Sequence, residues 1–251
     1  MAIIARFTRT LPAPSATISG GFVFLLSAGW FTQADTGVAG SPIDGGTNSL
    51  ANGGGDIKIF SDALASTQLP LHVVSFVTGG SPVAQVWVRT SSYTSGDTIT
   101  IGKDDTQTVQ PIVSSTYGRN ATWVDFEVNY HFNSSNDLID STGNHDLTEI
   151  GTVTSVTGKV GDAVDCSGSY SNRFEATGYK GVTGGSARTL TAWCNNTSSD
   201  NRGLATWGSA ATAKRWSKWF NGGKFRTEID GSFRQSTSGS SGTFKRFSSI
   251  L

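Results

Sequence analysis

The chain has 251 residues with 19 basic and 19 acidic side chains, and its formal net charge is zero. This balance excludes a global electrostatic field directed at nucleic acid or at a membrane surface. Hydrophobic residues make up 36% and charged residues 15%, while Gly (31), Ser (33) and Thr (31) are abundant. Thr, Val, Ile and aromatic residues favour strands, and Gly and Ser favour turns. The composition excludes a disordered chain and predicts an all-β protein of an extracellular or virion type.

The N-terminal region contains an extended segment followed by an apolar one. Pro12 and Pro14 fix φ and break any helix, so residues 1–20 are predicted to form an extended N-terminal arm. The apolar run FVFLLSAGWF (22–31) follows two arginines, as it would in a signal peptide. It begins late, after both prolines, and it is too short for a membrane span. We therefore predict a strand of the mature protein and no membrane insertion.

A first β-sandwich is predicted over residues 21–122. The glycine-rich connection at 36–56 is not followed by a helical period, which a phosphate-binding loop would require. The runs LPLHVVSF (69–76) and AQVWVRT (84–90) flank a Gly-Gly turn and predict a hairpin. One predicted face of the second run consists of Ala84, Val86 and Val88.

A second β-sandwich is predicted over residues 123–251. WVDFEVNYHF (123–132) alternates polar and apolar residues and predicts a strand with one buried face. The tripeptide NGG (221–223) predicts a hairpin, because Asn and Gly accept positive φ. Further strands are predicted at 163–166, 173–179, 188–194, 203–208, 215–220 and 224–230.

The chain has two cysteines, Cys166 and Cys194, and both lie in strand-like runs. Because cysteine behaves as a small hydrophobe, two buried free thiols are the favoured prediction. A disulfide between them stays open, since sequence alone cannot decide it. No Cys/His spacing in the sequence indicates zinc.

Residues 22–132 resemble an uncharacterised β-sandwich domain found in bacterial surface proteins and in many phage proteins. The matching segments are FVFLLSA, GGGDIKIFSD, TQLPLHVVSF, AQVWVRTSSYTSGDTITI and TYGRNATWVDFEVNYHF. Their order and spacing fit over about 110 residues. The resemblance implies a β-sandwich, and it implies no known activity.

From residue 123 the chain resembles the start of a laminin-G-like, concanavalin A-like jelly roll. The matching segments are YHFN, DSTGNHDLT, GKVGDAVDCSGS, TLTAWCN, ATWG and WFNGGKFRTEIDG. The resemblance implies an antiparallel two-sheet sandwich that often binds carbohydrate or protein, sometimes through calcium. Such domains usually continue beyond the point that FKRFSSIL (244–251) reaches. The jelly roll is therefore expected to be incomplete: pruned, completed by a neighbouring chain, or cut short by the reading frame.

An aromatic and basic segment of the second domain is the candidate site for a ligand or protein contact, and packing of its rings in the core is the alternative. Sugars stack on exposed aromatic faces beside polar hydrogen-bonding groups. The candidate residues are Trp207, Arg215, Trp216, Trp219 and Asn221. Strand alternation places Trp216 and Trp219 on opposite faces, so one ring set is expected in the core. The basic residues of this segment are spread rather than clustered, which makes nucleic acid an unlikely partner.

The stretch NDLIDSTGNHD (136–146) carries oxygen ligands of the kind that calcium prefers. The candidate ligands are Asp137, Asp140, Asn144 and Asp146. Their spacing is not that of an EF-hand, and Asx residues are ordinary turn formers. A calcium site and a plain turn both stay open. His131 is interpreted as a strand residue and His145 as a loop residue.

Two carboxylates, Asp125 and Glu127, alternate on a predicted strand, as in some jelly-roll glycosidases. The three-acid pattern of laminarinase-type hydrolases is absent from the sequence. The same predicted face continues with Asn129 and His131, as a solvated strand face would. No catalytic residue is therefore assigned.

These features predict a non-enzymatic structural or adhesion protein, a phage virion component such as a tail fibre, head fibre or decoration protein. The expected partners are other virion or surface proteins in an oligomeric assembly, and polysaccharide is the candidate ligand. The alternative is a secreted bacterial carbohydrate-binding module at the cell surface. A jelly-roll glycoside hydrolase is a distant third.

Overall fold

The computed structural model describes residues 3–32, 42–46, 49–134, 137–167, 169, 171–184, 186–197, 201–208, 215–229, 232–239, 242 and 244–250. Within these ranges the regular structure is strand, apart from one four-residue helix and two short 3-10 turns. The sheets are antiparallel, so the predicted all-β fold is confirmed. No helix in the described part of the chain has the length and apolar character needed to cross a membrane.

The chain divides into two compact units. The first comprises residues 1–156 and 160–175, and the second comprises residues 157–159 and 176–251. Residues 123–156 belong to the first unit. The domain start at residue 123 stays a prediction.

Two sheets form the body of the first unit. The four-stranded sheet has the order β1-β7-β3-β4, with β1 Ile3–Thr10, β3 Ile57–Phe60, β4 Gln68–Leu69 and β7 Thr98–Asp104. The three-stranded sheet has the order β2-β6-β5, with β2 Ile18–Ser27, β5 Leu71–Val77 and β6 Val83–Tyr93. The predicted hairpin is confirmed, because β5 and β6 pair antiparallel.

Both sheets of the first unit contribute to one hydrophobic core. Val86 and Val88 from β6 and Ile59 and Ile101 from the other sheet have no exposed surface. Ala84 is buried beside them, so the face predicted to carry Ala84, Val86 and Val88 is the one that packs in the core. Strands from two sheets that share one core form a sandwich, because each sheet buries one face against the other.

The N-terminal residues belong to this sandwich. Residues 3–10 are extended, as the prediction for the arm required, but they pair with β7 as an edge strand of the four-stranded sheet. The apolar segment 22–31 supplies most of β2, and Leu26 and Phe31 are completely buried. The predicted strand at the start of this segment is therefore confirmed.

The strand predicted at 123–132 is wrong. A single helical turn, α1 (Arg119–Thr122), leads into turns and irregular backbone. The backbone N–H of Asn129 donates to the Asp140 carboxylate, and its C=O accepts from Ser141 N–H. An alternating pattern forms a strand only when a neighbouring strand supplies these hydrogen bonds, and here a loop supplies them.

Short pairs complete the first unit, and a meander dominates the second. The short pairs are β8 (Thr148–Ile150) with β11 (Arg173–Glu175), and β9 (Thr154–Thr157) with β10 (Asp162–Asp165).

In the second unit β12 (Thr189–Cys194) pairs with β17 (Lys245–Ile250). The four-stranded meander is β13 (Arg202–Gly208), β14 (Arg215–Asn221), β15 (Lys224–Ile229) and β16 (Ser232–Gly239). Gly222 and Gly223 join β14 to β15 with φ values of 56° and 75°, which confirms the predicted hairpin.

The two cysteines are free thiols. Cys166 is exposed after the end of β10, so the prediction that it is buried is wrong. Cys194 is half-buried on β12, and burial raises the pKa of its thiol to about 12.

A buried ion pair lies inside the four-stranded sheet of the first unit. Lys58 Nζ on β3 lies 2.5 Å from Asp104 Oδ2 on β7, and both side chains are less than a tenth exposed. The second carboxylate oxygen accepts hydrogen bonds from the N–H and hydroxyl of Thr106. The bonds from Lys58 and Thr106 lower the pKa of Asp104 to about 2. The stability that this carboxylate contributes is therefore present above its ordinary pKa and is lost as the pH falls through about 2.

Replacing Asp104 with Asn is expected to lower the free energy of unfolding by about 3 kcal/mol, because the Lys58 ammonium stays buried after it loses this carboxylate. Asp105→Asn is the matched control, since Asp105 lies 3.6 Å from Lys103 at a much more exposed position. Its expected cost is below about 1 kcal/mol. Urea unfolding at neutral pH measures both variants, and equal losses would contradict a special role for the buried pair.

Candidate functional site

The predicted ligand-binding residues lie on the β13–β16 meander and divide between its two faces. Trp207 and Trp216 are cross-strand partners, and their rings stack with centroids 4.8 Å apart. Trp216 is only 6% exposed. The Nζ of Lys218 lies 4.1 Å from the centroid of the Trp216 ring and donates to Thr227 Oγ1. This is the buried face of the sheet, and the Trp216 ring packs within it.

The opposite face carries Trp219. The Arg226 guanidinium lies over the rings of Trp219 and Phe233, 4.8 Å and 3.5 Å from their centroids. Glu228 forms an ion pair with Arg226, with 3.2 Å between Glu228 Oε2 and Arg226 Nε. Phe233 is 50% exposed. We call Trp219, Arg226, Glu228 and Phe233 the aromatic–arginine face.

Two further predicted ligand residues, Arg215 and Asn221, share the strand face of Trp219, because all three alternate with the buried side chains of β14. Asn221 Nδ2 donates to Asn201 Oδ1 at 2.9 Å. Sequence reasoning missed Arg226 and Phe233, since cross-strand neighbours become visible only when the register is known. The ligand-binding role of these residues stays a prediction.

The predicted calcium ligands organise a loop. Asp140 is fully buried, and its carboxylate accepts hydrogen bonds from the backbone N–H groups of Asn129, Thr142 and His145. The hydroxyl of Thr142 donates to it as well. Burial acts to raise the pKa of Asp140, but these hydrogen bonds outweigh it and lower the pKa.

The other candidate ligands have similar local roles. Asp137 Oδ2 accepts from Asn133 N–H, and Asp146 Oδ1 accepts from Asp140 N–H. Asn144 donates to the Thr142 hydroxyl. Among the residues that the structure describes, no three His, Cys, Asp or Glu side chains converge on one point. Calcium at this loop stays a prediction, and backbone capping is the role that the geometry displays.

Replacing Asp140 with Asn is expected to destabilise the protein by about 2 kcal/mol or more, because an amide presents its NH₂ to backbone donors and leaves them unmet. Asp146→Asn is the control, since Asp146 receives one backbone N–H and its side chain is more exposed. Thermal unfolding with EDTA and with added calcium is the measurement. The loss should be the same in both buffers; a calcium-dependent rise in wild-type stability that Asp140→Asn abolishes would instead support a metal site.

The paired carboxylates weighed for glycoside hydrolysis are not on a strand. Asp125 follows α1 in a turn, and its Oδ2 accepts from Arg89 Nε at 2.7 Å. Both Asp125 and Glu127 are exposed.

A histidine and tryptophan cluster, which sequence reasoning missed, lies in the first unit. It joins His72 on β5, Trp87 on β6, Trp123 after α1 and His131 in the following irregular segment. The centroids of the two imidazole rings are 5.1 Å apart. His131 also lies 5.6 Å from Trp87 and 5.2 Å from Trp123, measured between centroids. We call these residues the histidine–tryptophan cluster.

Hydrogen bonds fix the protonation of both imidazoles. Trp123 Nε1–H can only donate, and it donates to His72 Nδ1 at 3.1 Å. A neutral His72 therefore carries its proton on Nε2. The amide nitrogen of Asn129 lies 3.0 Å from His131 Nε2 and donates to it, which places the His131 proton on Nδ1.

Both imidazoles are held neutral. Burial, followed by the charges of His131 and Arg119, lowers the pKa of His72 to about 3. Burial and the Arg119 charge lower the pKa of His131 to about 4. Because the unfolded chain takes up protons near the ordinary pKa of 6.5, stability falls as the pH drops from that value towards the folded-state values.

A cavity of about 310 Å³ opens beside this cluster. Its lining consists of His72, Val73, Val74, Arg119, His131, Asn133, Ser134, Asp137, Ile139 and Ser141. We call it the histidine cavity. Seven of these ten side chains are polar or charged, so the cavity suits a polar ligand.

NMR titration is expected to show the side-chain signals of His72 and His131 in their neutral form down to about pH 5, since their charged forms are disfavoured by burial. Free histidine in the same tube is the reference and should titrate near 6.5. Trp123→Phe removes the donor to His72 Nδ1 and should change the tautomer signature of His72 while leaving that of His131. Midpoints of either residue near the reference would contradict the buried, neutral cluster.

No protein-family model, curated protein or solved structure matches the chain.

Proposed function

We propose that the chain is a non-enzymatic structural and adhesion protein of a phage particle, a fibre or decoration component that presents a β-sandwich for contact with a glycan or a protein. The observation that supports this proposal is the aromatic–arginine face. It combines the half-buried indole of Trp219, an exposed phenyl ring and a guanidinium on one sheet.

The chemistry of this face suits recognition. A guanidinium in contact with two ring faces loses little conformational freedom when it binds, because the rings already restrict it. Pyranose C–H faces stack on rings, and the polar groups of Arg215 and Asn221 lie on the same strand face for hydrogen bonding. Glu228 offsets the charge of Arg226, so the face favours neutral saccharides or mixed-charge protein surfaces.

The arrangement of the acidic residues agrees with the non-enzymatic part of the proposal. The Asp125 carboxylate forms an ion pair with Arg89, and the Asp140 carboxylate accepts hydrogen bonds from three backbone N–H groups. Both carboxylates have structural work in the first unit.

A glycan array with the wild-type chain tests the contact surface. Trp219→Ala and Phe233→Ser are expected to weaken binding about tenfold, because each removes a stacking ring. Trp193→Ala is the matched control: Trp193 is 47% exposed but lies on β12, outside the meander. A loss shared equally by Trp193→Ala, or binding unaffected by all three changes, would contradict a role for this face.

Localisation is tested separately. Mass spectrometry of purified particles is expected to find peptides of this chain in a fixed ratio to a capsid protein. Recovery only from the particle-free medium would favour the alternative, a secreted lectin-like surface module. The same face would serve that module, so the array and the particle experiment answer different questions.

A further inference from the structure

We propose that the histidine cavity binds a small carboxylate-bearing sugar, with Arg119 as its cationic anchor. This inference goes beyond the proposed function, because the cavity lies in the first unit and the aromatic–arginine face lies in the second.

The first argument is the charge of Arg119. In the described part of the chain the only hydrogen bond of the Arg119 side chain is a long one, from Nε to Asn120 Oδ1 at 3.4 Å, and no carboxylate lies within ion-pair distance. By contrast, Arg89 pairs with Asp125 at 2.7 Å and Arg173 with Glu175 at 2.6 Å. Arg119 is half-buried at the cavity wall, so its terminal N–H groups suit a bidentate carboxylate from a ligand.

The second argument is the fixed donors beside that charge. The bonds from Trp123 and Asn129 occupy one nitrogen of each imidazole, so the second nitrogen of His72 and of His131 carries an N–H. Both rings line the cavity. Neutral N–H donors can bind carboxyl or hydroxyl oxygens and add no charge that would attract multiply charged anions.

The third argument is the remaining polar lining. Asn133, Ser134 and Ser141 supply an amide and two hydroxyls, which can each donate and accept as sugar hydroxyls do. Asp137 is the one acidic residue of the lining, and one of its oxygens accepts from Asn133 N–H. Its negative charge disfavours a second anionic group on the ligand, so a monoanion fits better than a dianion.

The size of the cavity limits the ligand. A volume of about 310 Å³ stands at the lower end of the range for ligand sites. This volume accommodates one sugar unit rather than a chain. A single carboxylate, several hydroxyls and small size together describe a uronic-acid-type monosaccharide or the end group of an acidic polysaccharide.

NMR titration of the full chain with sodium glucuronate tests the inference. The expected result is saturable shifts of backbone signals at residues 72–74, 131–134 and 137–141. Glucose, acetate and inorganic phosphate are the comparison ligands, and each is expected to bind at least about tenfold more weakly than glucuronate. Glucose lacks the carboxylate, acetate lacks the sugar hydroxyls, and phosphate lacks both.

Arg119→Gln is expected to weaken glucuronate binding about tenfold or more, because it removes the charge-assisted bonds. Arg173→Gln is the matched control, since Arg173 is an exposed, ion-paired arginine of the same unit. If Arg119→Gln does not fold, His131→Gln provides the second variant, and it too should weaken glucuronate binding relative to Arg173→Gln.

Several outcomes would overturn the inference. They are wild-type glucuronate affinity in Arg119→Gln, equal binding of glucose, equal binding of acetate or phosphate, and shifts confined to residues outside the cavity. The Trp219→Ala and Phe233→Ser variants should titrate as wild type, so failure of the cavity and failure of the proposed function are distinguishable.

Discussion

The irregular parts of the first unit depend on one interaction, the acceptance of backbone N–H groups by aspartate side chains. Long connections cannot use a sheet ladder, yet their N–H groups need partners wherever water is excluded. The aspartates that accept them include Asp56, Asp62, Asp97, Asp104 and Asp140. Asp140 is the extreme case, because three backbone donors from two sides of a loop converge on one buried carboxylate.

This use of aspartate explains why the acidic stretch around Asp140 has the look of a metal site in the sequence. A carboxylate that caps backbone donors and a carboxylate that binds calcium occur in the same Gly-, Asn- and Ser-rich contexts, since both need tight turns. The two kinds of carboxylate differ in whether hydrogen-bond donors or a cation contact their oxygens. At Asp140 the oxygens face N–H and O–H donors, which a cation would have to displace.

Sequence patterns predicted the parts of the fold in which local chemistry decides the outcome. The alternation in β6 and the Gly-Gly turn after Asn221 each carry their structure within a few residues. The same alternation at 123–132 failed, because strand formation also needs a partner strand, and partners are a property of the whole fold. Sequence reasoning missed the histidine cavity for a related reason. His72 and His131 are 59 residues apart in sequence, and no local pattern predicts that their rings meet. Among the predicted ligand residues, alternation separated Trp216 from Trp219 correctly, but it could not say which face would be buried.

The buried face of β14 carries a lysine, Lys218, between two aromatic side chains. Lysine is rarely buried completely, yet Lys218 has no exposed surface, and burial lowers its pKa to about 8. The Trp216 ring and the Thr227 hydroxyl replace part of the water that its ammonium loses. Because side chains alternate strictly along a strand, the burial of Trp216, Lys218 and Phe220 obliges Trp219 to lie on the opposite face. A register shift of one residue in β14 would exchange the two faces, so the register of this strand places Trp216 on the buried face and Trp219 on the opposite one.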